Sequence, residues 1–302
     1  MTSTDTISPN TATTAPAAET DTTKPARFPL MRRVLTSPKG IAGLILMLVI
    51  VAMAALAPIL FPLGPWAMVG RPYIWPASGA TLMGTDVLGR DMTAAMFWGA
   101  QISLLVGLVS AGISLVIGIA VGSAAGYYGG RVDAILMRFT DAVQTVPSFL
   151  FTIVIVAVAA PSIRTIVLAI ALVSWPAVAQ LMRAEVLSVK KREFVQSCRI
   201  IGMTDLRIIL SQVIPNSLSP VIVIASVLVA TAIITEAGLA FLGLGDPNVM
   251  SWGTMINLGR PSIRTTWYIA LIPGGFVIMT VLALNLLGDA INDAFNPHLR
   301  KR

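Results

Sequence analysis

Apolar and polar residues alternate along this chain in long blocks, with no strand-like period of two. Six apolar blocks stand out, at 41–61, 101–127, 143–160, 166–182, 218–242 and 267–287. The first runs for 21 residues, Ile41 to Phe61, without a charge. About 20 such residues are needed for a helix to cross a hydrocarbon core. Each block therefore predicts a transmembrane helix, and the fold class is an all-α membrane protein with six of them. The first block also exceeds the ~7–15 apolar residues of a secretory signal, and a long polar stretch precedes it. It reads as an uncleaved span.

The polar blocks divide the chain. Residues 1–30 are rich in Thr, Ser, Ala and Pro, and they predict a disordered tail. Residues 31–63 carry the first helix and 64–98 an external loop. The core, 99–295, holds the other five helices, and 296–302 forms a short tail. Trp66, Tyr73 and Trp75 are placed as interfacial aromatics would be. Gly84 to Asp91 predicts a capped turn into a helix. In the second block, Gly107, Ser110, Gly112, Ser114, Gly118 and Gly122 allow close helix contact. Pro147 and Pro176 fall inside predicted helices, and Pro147 predicts a kink.

The largest polar interruption of the apolar half runs from Glu193 to Asn216. The loop predicted between the fourth and fifth helices is bounded at 185–214, and the interruption overruns it by two residues. There Val195, Cys198 and Ile201, then Leu206, Ile209 and Leu210, recur at helical spacing. They predict two short amphipathic helices. Gly202 lies between them, where a helix can end at positive φ. Thr204 or Asp205 can cap the second helix, and Pro215 closes the unit. Such an elbow suits docking into a groove on a partner.

Composition narrows the function. The chain is 56% hydrophobic and 12% charged, against about 25% charged in soluble domains. A single cysteine, Cys198, excludes an internal disulfide framework. A single histidine, His298, leaves no metal-ligand cluster. No phosphate-binding G-x-x-x-x-G-K-[ST] loop is present, so this chain is not expected to hydrolyse nucleotide.

Charge placement sets the orientation. With the amino terminus in the cytoplasm, 16 Lys and Arg residues lie inside and five, at 71, 90, 164, 260 and 264, lie outside. The positive-inside rule favours this topology, with both termini cytoplasmic. It accounts for the net charge of +7 without nucleic acid.

The elbow resembles the cytoplasmic loop of ABC importer permeases: Glu-Ala-Ala, three residues, Gly, nine residues, then Ile-x-Leu-Pro. The matching slots hold Gln196, Ser197, Cys198, Gly202, Gln212, Ile214 and Pro215. The triplet reads Gln-Ser-Cys, and Gln212 replaces Ile. Further stretches widen the likeness: G-T-D-V-L-G-R-D at 84–91, A-G-Y-Y-G-G-R-V-D at 125–133, M-R-F-T-D at 137–141 and E-A-G-L-A-F-L-G-L-G at 236–245. S-W-G at 251–253 and L-G-D-A-I-N-D-A-F-N-P-H-L-R at 287–300 continue it. From about residue 30 to the end, the chain is similar to the second permease subunit of dipeptide/oligopeptide (and nickel) ABC importers.

That resemblance implies a type I ABC importer permease fold in the bacterial inner membrane. It implies a homologous permease as heterodimer partner, two cytoplasmic ATPases that bind ATP and Mg, and an external binding protein. No cofactor is expected on this chain. Glu193, Gln196, Ser197, Cys198, Gly202, Met203, Thr204, Asp205 and Pro215 then mark the ATPase-coupling loop. The implied substrate is a di- or oligopeptide, with nickel or another small solute as the alternative.

Glu236 is the one acid inside an apolar run. It reads either as a group at the outer end of the path or as a structural partner to a neighbouring helix. Asn285 and Gln180 read either as path-lining or as helix–helix hydrogen bonding. Asp289 and Asp293 fit a solvated helix end. A polytopic enzyme would need paired catalytic groups within the spans, which offer one Glu and no His. A stand-alone channel or secondary transporter often carries inverted repeats, and none is evident.

Overall fold

The computed structural model describes residues 36–78 and 81–295. The predicted tails, 1–30 and 296–302, and His298 lie outside the described residues. The described residues form ten α-helices joined by turns. These are α1 (Pro38–Leu60), α2 (Met92–Tyr128), α3 (Gly130–Gln144), α4 (Ser148–Ala159), α5 (Ile163–Val189), α6 (Glu193–Ile200), α7 (Asp205–Ile208), α8 (Ile214–Phe241), α9 (Trp252–Gly259) and α10 (Tyr268–Phe295). Helices α7 and α8 are continuous through a π turn, Ile209–Val213. Among the described residues five helices are long and apolar enough to cross a membrane, and there are six such spans if the bent pair α3–α4 counts as one.

The third span departs from the kinked helix predicted at Pro147. The chain breaks there, and α3 and α4 meet at 80°. Proline disfavours helical backbone in the residue before it and lacks an N–H. No helical bond bridges 145–147.

The second span also differs. Its helix begins at Met92, inside the stretch predicted as external loop. Asp91 caps it by accepting from the Thr93 N–H at 2.8 Å. Met92, Met96 and Ala100 are buried in the protein core, so this turn needs no lipid-facing apolar run.

Helix α2 packs most extensively on α5, and the reason is small residues. A Cβ on Gly118 would stand 2.4 Å from Val178 Cβ, and one on Gly122 2.4 Å from the Ala179 carbonyl oxygen. One on Gly126 would stand 2.9 Å from the Arg183 carbonyl oxygen. The spacing of four puts all three on one helix face, where the two backbones touch. Gly112 does not belong to this contact: no atom lies within 4 Å of its would-be Cβ.

The described residues between α1 and α2, 61–78 and 81–91, are tightly stitched. Thr85 is fully buried and its hydroxyl accepts from the Ile74 N–H (2.8 Å) and donates to the Arg71 carbonyl (2.7 Å). Asp86 accepts from the Leu88 and Arg90 N–H groups at 2.8 and 2.9 Å. Gly89, at φ +77°, leaves a would-be Cβ only 2.2 Å from the Gly70 carbonyl oxygen. The Gly84–Asp91 motif is thus a tightly bonded loop as well as a helix cap. Tyr268 on α10 reaches it, its hydroxyl 3.0 Å from the Ile74 carbonyl oxygen.

Candidate functional site

The elbow is built from α6, a turn and α7. Gly202 has φ +81°. Its N–H bonds the Arg199 carbonyl at 3.0 Å, and the Met203 N–H bonds the Cys198 carbonyl at 3.1 Å. These paired bonds are a Schellman ending, which satisfies the last carbonyls of α6 and needs a left-handed residue at Gly202. The predicted side-chain cap is absent: neither Thr204 nor Asp205 caps α7. Asp205 instead accepts a hydrogen bond from the Tyr127 hydroxyl at 2.6 Å.

Pro215 does not close the unit either. The helix runs through it, because the π turn just ahead widens the spiral, with the Ile214 N–H bonded to the Ile209 carbonyl. The wider turn gives the proline ring room and absorbs its missing donor.

The predicted apolar stripes split between two faces. Val195, Ile208, Ile209 and Val213 are buried against Tyr127, Met182, Val186 and Val189. Ile200 and Ile201 are 86% and 74% exposed, and Leu206 and Leu210 also face outward. Arg199 and Arg207 are exposed beside them. The elbow thus shows an apolar knuckle flanked by cations, a surface suited to a partner's groove. Glu193, Gln196, Ser197 and Thr204 are exposed on the same unit, while Cys198 and Met203 are half-buried.

A second feature lies in the membrane region. The α3–α4 break, α5 and α8 enclose an open cavity of about 500 Å³. Its lining includes Gln144, Pro147, Ser148, Ser174, Val227 and Thr231. A smaller chamber of about 30 Å³ continues from it past Thr152 and Thr235. No charged side chain lines either. Hydroxyls and one amide are the polar groups, and the sequence signal for them was only Ser and Thr scattered among apolar residues.

Gln180 is not among the cavity residues but bonds Gln144, which is. Its amide donates to Asp141 and Gln144, each at 3.1 Å, tying α5 to α3. Arg183, one turn on, bonds Asp133 at 2.5 and 2.6 Å. Asn285 is exposed on α10 and is not among the cavity residues. Glu236 is 3% exposed near the C-terminal end of α8, absent from the cavity lining and facing Ser251 at the start of α9. Its Oε2 has no hydrogen-bond partner among the described residues. Gly253 explains the burial: its would-be Cβ is 2.7 Å from Ala237 Cα, so α9 presses directly on α8.

Comparison with known proteins agrees with this architecture. Residues 118–301 match the family described as binding-protein-dependent transport system inner membrane component. The chain is 37% identical to the di/tripeptide transport system permease protein DppC of Pseudomonas aeruginosa, over 95% of this chain and 97% of that one. It is 36% identical to the dipeptide transport system permease protein DppC of Bacillus subtilis, over 89% and 85%. The oligopeptide transport system permease protein OppC of Bacillus subtilis is 34% identical, over 90% and 89%. In fold, the chain is similar to the MetNI methionine ABC transporter in inward-facing conformation, with a TM-score of 0.55 at 14% identity, covering 67% of this chain and 97% of that one. Permeases of this family work with separate ATPases, which hydrolyse the ATP, and with a substrate-binding protein. This chain therefore belongs to the binding-protein-dependent inner membrane components: it is a multi-pass permease subunit of an ABC importer, and not itself an enzyme.

Proposed function

We propose that this subunit forms half of a translocation path for di- and oligopeptides. A homologous permease supplies the other half. Two cytoplasmic ATPases seat on the elbows, and an external binding protein delivers the substrate. The observation that carries this reading is the cavity at the α3–α4 break. At about 500 Å³ it falls within the ~300–1,000 Å³ of small-molecule sites. Its neutral hydroxyls and amide can exchange hydrogen bonds with a peptide backbone, and no fixed charge selects among side chains. The three peptide-system relatives support the same substrate class.

In this arrangement both described ends of the chain, residues 36 and 295, lie at the elbow's end of the bundle. The elbow end carries Arg131, Arg138, Lys190, Lys191, Arg192, Arg199 and Arg207. That excess supports a cytoplasmic elbow with both termini inside. ATP-driven approach of the ATPases would push on the elbow and swing the broken third span between open states.

The test is uptake of a labelled dipeptide into liposomes holding the full complex, with binding protein inside or outside and with or without ATP. ATP-dependent peptide uptake, competed by other peptides and not by nickel, is the expected result. Uptake competed by nickel alone would replace the substrate. A reporter after residue 302 should be cytoplasmic and one near Pro247 external; the reverse would overturn the orientation.

A further inference from the structure

We propose that Tyr127 is a positioning residue for coupling, a clamp through which the end of α2 fixes the elbow on the transmembrane core. This deepens the coupling role above and rests on it. Tyr127 is 2% exposed in the last turn of α2. Its hydroxyl donates to Asp205, the first residue of α7, at 2.6 Å. The Arg199 guanidinium, in the last turn of α6, sits 5.1 Å from the ring centroid. Lys190, at the end of α5, lies 5.4 Å from the same centroid and donates to the Tyr127 carbonyl. One side chain therefore touches each of the three segments that meet at the elbow.

The chemistry suits a clamp. A phenol-to-carboxylate bond in the ~2.5–2.7 Å range is charge-assisted and directional. Cations over a ring add attraction without fixing a single approach. The base of the clamp is rigid, because neighbouring Gly126 holds α2 against the α5 backbone. The load is weakly held otherwise. Val195 is the one buried residue of α6, and Ile200 and Ile201 point away from the protein. Without the clamp, α6 is left with an apolar pivot and no polar brace to α2. A push on the exposed knuckle would then rotate α6 before it moved α2.

Two readings on the full complex test this. The first is amide hydrogen exchange in nanodiscs. Tyr127→Phe keeps the ring and removes the hydroxyl, and exchange across 193–208 should quicken about fivefold. Exchange across 92–122 should stay as in wild type. The second is uptake per ATP hydrolysed in liposomes, which should fall by a similar factor. Asp205→Ala should match both effects, and the double variant should be no worse than either single one. Asp205→Asn keeps an acceptor and should recover most of the loss. Unchanged elbow exchange in both single variants, or single effects that multiply in the double, would overturn the clamp. Exchange is read whether or not the complex moves peptides. Elbow exchange that quickens in Tyr127→Phe and Asp205→Ala, in a complex that takes up no peptide, would count against the substrate and still support the clamp.

Discussion

Arg183 and Asp133 close on each other through two hydrogen bonds of 2.5 and 2.6 Å, across fifty residues of sequence. The pair ties α5 to the first turn of α3, below the break that opens the cavity. Paired bonds from a guanidinium fix direction as well as distance. Both side chains are partly exposed, so solvent discounts the pair to about 1 kcal/mol. Asp133→Ala should lower the thermal midpoint of the purified permease by a few degrees. The charge swap Asp133→Arg with Arg183→Asp should recover part of that loss. A swap no better than Asp133→Ala alone would show that packing, and not the pair, holds α3 in place.

Gly122 carries a sharper test of the bundle. Its would-be Cβ meets the Ala179 carbonyl oxygen at 2.4 Å, and backbone cannot rotate away. Gly122→Ala must separate α2 from α5, at about 3 kcal/mol. Gly112→Ala, on the same helix with open space around it, should be close to neutral. The readout is the yield of monodisperse permease after extraction from the membrane. Equal yields for both would mean that the close approach of α2 and α5 is not needed.

How much of this was legible beforehand depends on range. The spans show in the sequence because each is a long apolar block, and lipid imposes that composition on every residue facing it. The start of α2 does not show, because protein covers Met92 and Met96 and relaxes the demand. The elbow shows through Gly202, whose role is local. The contact of Tyr127 with Asp205 joins residues 78 apart, and a tyrosine at a span end reads equally well as an interfacial aromatic. The cavity is hidden for the same reason: its polar groups are ordinary residues scattered over four helices, Gln144 on α3, Ser148 and Thr152 on α4, Ser174 on α5 and Thr231 and Thr235 on α8. The split of the elbow's apolar stripe is hidden too, since spacing alone cannot separate a core face from a docking face.

Glu236 tests a buried acid. Ser251 faces it, and one carboxyl oxygen is without a partner among the described residues. Glu236→Gln keeps the volume and a hydrogen-bonding group, so insertion and uptake should stay near wild type. Glu236→Lys places an ammonium in the same enclosed space, at about 3 kcal/mol. Its inserted level should drop several-fold in a membrane-fraction blot. Wild-type levels and uptake in both variants would show the position to be idle.

Gly202 isolates the shape of the elbow from its contacts. It is exposed, and nothing lies within 4 Å of a would-be Cβ. A substitution there changes backbone conformation and little else. At φ +81° a β-branched side chain is strained by ~1–3 kcal/mol. Relieving the strain means leaving positive φ, which breaks the bonds from Gly202 and Met203 back to α6. Helices α6 and α7 would then meet at a new angle, and Ile200, Ile201 and Leu206 would no longer present one knuckle. The spans, packed through α2 and α5, should not respond. Gly202→Val should therefore insert and pair with the second permease, yet hold the ATPases weakly and lose ATP-driven uptake. Gly202→Asn is the control, because asparagine enters the left-handed region more readily than other non-glycine residues. It should retain most of the activity. The measurements are ATPase retention on purification, hydrolysis stimulated by loaded binding protein, and uptake into liposomes. If Gly202→Val takes up substrate normally, the angle of the elbow does not matter to coupling, and the push must enter the membrane elsewhere.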